Sequence, residues 1–123
     1  MICDFLKLKN LALAEIEATV EKFPEPLREH SAKVALTFGR KPDSGLQADG
    51  IESDTLGLYT GAEFADAGET VLPPQIILFL ENLWESAGGD ERNFGVEVRV
   101  TFVHELGHFL GLDEDDLTER GLD

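Results

Sequence analysis

From residue 90 to about residue 111 one helical pattern runs unbroken, and it constrains the fold more than any other feature of the chain. At about 100° per residue, Val98, Val100, Phe102, Val103, Leu106 and Leu110 cover most of the circumference. Glu97, Thr101, His104, Glu105 and His108 fall together within an arc of about 100°. Such a helix is mostly buried and carries a single polar stripe. The chain has 123 residues, 42% of them hydrophobic, which is enough to bury a core. That length predicts one domain over 1–123.

The remaining elements are short. Phe5, Leu8, Ala12, Ile16 and Val20 recur at helical spacing from Asp4 to Lys22, and Pro24 and Pro26 end that helix. Lys33 to Phe38 and Leu56 to Thr60 read as strands, with a Gly-, Asp- and Ser-rich loop at 39–54 between them. A second acidic loop occupies 61–70. After Pro73 and Pro74, the apolar run Gln75 to Leu80 reads as a buried strand. Residues 81–89 lead through Gly88 and Gly89 to the long helix, and a short last helix is expected at 115–120. This order predicts an α+β fold with helices covering one small sheet.

Charge narrows the partners. Twenty-five Asp and Glu against ten Lys and Arg leave a formal charge of −15. A surface this negative repels phosphate backbones and anionic lipid, so neither a nucleic-acid nor a membrane partner is expected. The single cysteine, Cys3, excludes an intrachain disulfide and a cysteine zinc cluster. No segment is long and apolar enough to span a bilayer, and Asp4, Lys7, Lys9 and Glu15 interrupt any signal-peptide core. The expected location is cytoplasmic.

The chemistry concentrates in the segment from Val103 to Glu114. His104 and His108 stand four residues apart, one turn along the same helix face. Two imidazoles so placed can bind one zinc ion, each at about 2.0–2.1 Å. Glu105 points to the same side without being forced to bind, which suits a general base acting on water. Gly111 lets the chain leave the helix and turn back. Glu114 then offers a third ligand, with Asp113 as the alternative. The bland reading is a solvated helix face, with the carboxylates at 113–116 capping the last helix.

These residues, His104-Glu105-Leu106-Gly107-His108-Phe109-Leu110-Gly111-Leu112-Asp113-Glu114, resemble the HExxHxxGxx(H/D/E) motif of the zincin metallopeptidases. In size and element order the whole chain is similar to the minimal zincin-like bacterial proteins. The motif at 104–114 is specific, whereas LGLYTG (56–61) and VLPPQIILFL (71–80) match more weakly. The resemblance implies a small α+β zincin-like domain, with a short mixed sheet packed by an N-terminal helix and a long active-site helix. It implies one zinc ion per chain on His104, His108 and Glu114, with Glu105 as general base. The only methionine is Met1, so the methionine turn of the fuller motif is absent, and Leu122 follows Gly121 where minimal members often end in an aromatic residue.

The expected activity is zinc-dependent hydrolysis of a peptide or protein substrate. The alternative is a non-catalytic zinc-binding or protein-interaction domain derived from a zincin. Tyr59, the only tyrosine, is a candidate transition-state stabiliser if its strand borders the cleft. A homodimer is a further candidate, although no heptad pattern specifies one. His30 reads as a surface histidine, Arg99 as exposed or salt-bridged, and Trp84 as packing.

Overall fold

The computed structural model describes residues 4–61 and 74–110. Five helices and three strands follow one another as α1 (Phe5–Glu21), α2 (Glu25–Ser31), β1 (Ala35–Gly39), α3 (Ser44–Ala48), β2 (Gly57–Thr60), β3 (Gln75–Phe79), α4 (Leu80–Ser86) and α5 (Glu91–Phe109). The strands form one sheet in the order β1-β3-β2, with β1 parallel and β2 antiparallel to β3. The fold is therefore α+β around a mixed sheet. Its N-terminal helix and long last described helix pack together, and α5 also lies on β2 and β3.

The apolar run at 75–79 is the central strand, which explains its composition. Ile76 and Leu78 alternate onto one face and are fully buried, while Ile77 faces the other way and is half-buried. On the buried face they join Leu8, Ala12 and Ile16 of α1, Leu83 of α4, and Phe94, Val98, Leu106 and Phe109 of α5. This single cluster draws on every layer of the described fold, so burial of apolar area holds the helices to the sheet.

Three segments differ from the sequence expectation. Residues 25–31 form a helix, because proline at the start of a helix gives up only an amide hydrogen that is unpaired there anyway. Within the expected loop at 39–54, the Asp43 side chain accepts a hydrogen bond from the Leu46 amide at 2.9 Å and starts the short helix α3. Residues 80–86 are helical as well, and Leu80 belongs to this helix rather than to the preceding strand. Leu80, Leu83 and Trp84 hold i, i+3 and i+4 spacing, a helical signal masked by its continuity with the strand run. Helix α4 ends where Gly88 and Gly89 take φ of 69° and 73°. Their amides reach back to the Glu85 and Trp84 carbonyls at 3.0 and 3.1 Å, a Schellman closure that favours glycine.

The expected helix at 115–120 lies outside the described residues. Elsewhere the boundaries of the expected elements move by one or two residues, as helix and strand ends commonly do.

Helix α5 begins at a built N-cap. The Asp90 carboxylate accepts from the Asn93 amide at 3.0 Å, and Glu91 sits in the first turn near the positive helix end. Replacing Asp90 by alanine is expected to cost about 1 kcal/mol. The check is chemical denaturation, with a lower midpoint and an unchanged slope.

Candidate metal centre

Helix α5 brings His104, Glu105 and His108 together. The Nε2 atoms of His104 and His108 are 3.3 Å apart, and the rings stand edge to face with centroids 4.9 Å apart. Two nitrogens at about 2.0–2.1 Å from one tetrahedral zinc ion are separated by roughly 3.3–3.4 Å. The imidazole spacing thus fits a shared ion without rearrangement. A carboxylate oxygen of Glu105 completes a group whose ligand atoms all lie within 4.8 Å of one another, so these three residues could hold a metal ion. His104 and Glu105 are half-buried, on a backbone locked below by Phe102, Leu106 and Phe109.

Tertiary packing shapes the polar stripe. Thr101, on the same arc, is 8% exposed and lies under β2. Glu97 accepts from the Ser86 hydroxyl at 3.1 Å and so faces α4 rather than the histidines. The apolar circumference is less completely covered than the helical wheel predicts, since Val100 is 40% exposed, and Val96, one turn before it, is 43% exposed. Neighbouring layers reach α5 from the sheet and from α1 and α4, which leaves this flank outside.

Two clefts flank Glu105, and both run along β2, an edge strand of the sheet among the described residues. The first, about 450 Å³, is lined by Leu58, Tyr59, Gly61, Glu105 and His108. The second, about 310 Å³, is lined by Leu56, Gly57, Val100, Thr101, His104 and Glu105. Tyr59 therefore borders the cleft, while its ring also packs on Phe109 with centroids 6.0 Å apart. Gly57 and Val100 are cleft residues that sequence reasoning did not single out. The available signal for Gly57 was a glycine inside a strand pattern, which often marks close backbone approach.

Glu114 and Asp113, the candidate third ligands, lie outside the described residues. The minor candidates fall away from the centre. Arg99 pairs with Glu15 at 3.6 Å on the α1 side, and Trp84 packs edge-on against Phe94 with centroids 5.7 Å apart. His30 sits on α2. Among the described residues, no helix is long and apolar enough to cross a membrane.

No curated protein matches the chain. A model of the zincin-like metallopeptidase family matches residues 31–122, well over half of the sequence. The match includes the whole sheet and the HExxH segment, and leaves α1 and most of α2 outside it. Family match and imidazole geometry point the same way, and the chain belongs to the zincin-like metallopeptidase family.

Proposed function

We propose that this chain is a zinc-dependent peptidase in which His104 and His108 hold the ion, Glu114 (or, as the alternative, Asp113) supplies the third ligand, and Glu105 is the general base. The observation that carries the reading is the 3.3 Å separation of the two Nε2 atoms, with Glu105 beside them lining both clefts. When bound, zinc supplies Lewis acidity, lowering the pKa of water toward 7 and polarising the scissile carbonyl. Glu105 takes the proton of the attacking water and delivers it to the leaving amide nitrogen. An extended peptide pairs along the outer edge of β2, where backbone hydrogen bonds align it across Glu105. Tyr59, at the rim of the same cleft, donates toward the oxyanion.

The net charge of −15 favours peptides with cationic flanks. The single cysteine fits a cytoplasmic protein, and a length of 123 residues fits one domain. A purely structural zinc ion would have no use for Glu105, and the core is built from apolar side chains of α1, α4, α5 and β3 rather than around the two histidines. Stripping the protein with a chelator is accordingly expected to abolish hydrolysis of a peptide library while leaving the fold intact by circular dichroism. Adding zinc restores cleavage. A chain that unfolds on metal removal would favour the non-catalytic alternative.

A further inference from the structure

Gly57 opens β2 at the point where the edge strand crosses α5. A Cβ built on Gly57 would lie 2.6 Å from the Thr101 Cγ2, 3.2 Å from the Leu78 Cδ2 and 3.4 Å from the Glu105 Cγ. The residue is not among the glycines with positive φ, so its backbone suits any amino acid. What it lacks is room. Thr101 is 8% exposed, which leaves its methyl little room to swing aside. Thr101 also sits one helical turn before Glu105, so whatever moves β2 from Thr101 also moves it from Glu105.

The approach to this contact is tied down from behind. Asn82, 5% exposed on α4, donates through its Nδ2 to the Ser53 carbonyl at 2.8 Å and the Thr55 carbonyl at 2.9 Å. The Phe79 amide donates to the Leu56 carbonyl at 3.0 Å. Both hydrogens of a buried amide are spent on two residues, Ser53 and Thr55, that lead into β2, a costly arrangement to leave half-satisfied.

We infer that Gly57, pressed on Thr101, is a positioning residue that fixes the gap between the edge strand and Glu105, and with it the placement of an extended peptide. The inference rests on the peptidase reading. A methyl at residue 57 pushes β2 outward, while His104 and His108 share α5 and keep their spacing. Peptide placement is therefore separable from metal binding.

The test uses the full chain loaded with zinc and two probes that require no turnover. Acetohydroxamate reaches only the ion, whereas a tripeptide hydroxamate also lies along β2. For Gly57→Ala we expect zinc and acetohydroxamate affinities within about twofold of the parent chain, and tripeptide hydroxamate affinity lower by about tenfold or more, in keeping with the sensitivity of such sites to displacements near 1 Å. Adding Thr101→Ser removes the obstructing methyl and should restore most of the loss, with Thr101→Ser alone as the control.

Undiminished tripeptide hydroxamate binding by Gly57→Ala, equal loss of both probes, or failure of Thr101→Ser to restore affinity would each overturn the inference. So would a Gly57→Ala chain that does not fold and is not rescued by Thr101→Ser. A parent chain that binds zinc but shows no preference for the tripeptide hydroxamate overturns this inference alone. A parent chain that binds no zinc overturns the reading beneath it.

Discussion

Glu105→Gln is expected to keep its zinc and lose its hydrolysis. The substitution preserves size and shape, so the packing of Glu105 beside β2 and its place on both cleft walls are retained. The amide cannot take a proton from water or return one to a leaving nitrogen. General acid–base assistance of this kind is worth about 10²–10⁴-fold, and the loss should fall on kcat rather than on KM. Peptide cleavage kinetics of the variant, measured beside its metal content, decide the matter. Equal rates in parent and variant would remove Glu105 from the chemistry and leave a metal-binding domain without a base.

The second large effect is expected on the metal itself. His104→Ala or His108→Ala removes one of two imidazoles whose 3.3 Å separation matches a single ion. Losing a direct ligand should exceed the about 10–100-fold weakening that comes from outer-shell changes, so either variant should purify without stoichiometric zinc. Neither should unfold. Among the described residues the largest fully buried side chains include Phe79, Phe94 and Phe109 but no histidine. Metal analysis together with thermal melting of the metal-free proteins checks both halves of the expectation. A variant that retains one tightly held ion would place the site elsewhere.

The stripe on α5 was legible in the sequence because helical geometry alone puts residues 104 and 108 on one face, and no tertiary contact has to intervene. The central strand was legible for a similar reason, since Gln75 to Leu80 is too apolar to lie outside a core. What escaped depends on neighbours. α4 follows β3 without a break, so its helical spacing was absorbed into the strand run. α2 and α3 start from Pro24 and Asp43, residues that read equally well as breakers and as helix starts.

The exposure of Val100 and the tightness at Gly57 could not be read from either segment by itself. Each depends on how far β2 reaches along α5, a distance that arises only when the two elements pack.

The central claim is that His104 and His108 hold one zinc ion. Calorimetric titration of the metal-stripped chain with zinc near pH 7 tests it most directly, with His108→Ala titrated in parallel. The account predicts tight binding of one ion per chain, abolished in the variant. Folded parent protein that takes up no zinc, or a variant that binds as the parent does, would contradict it.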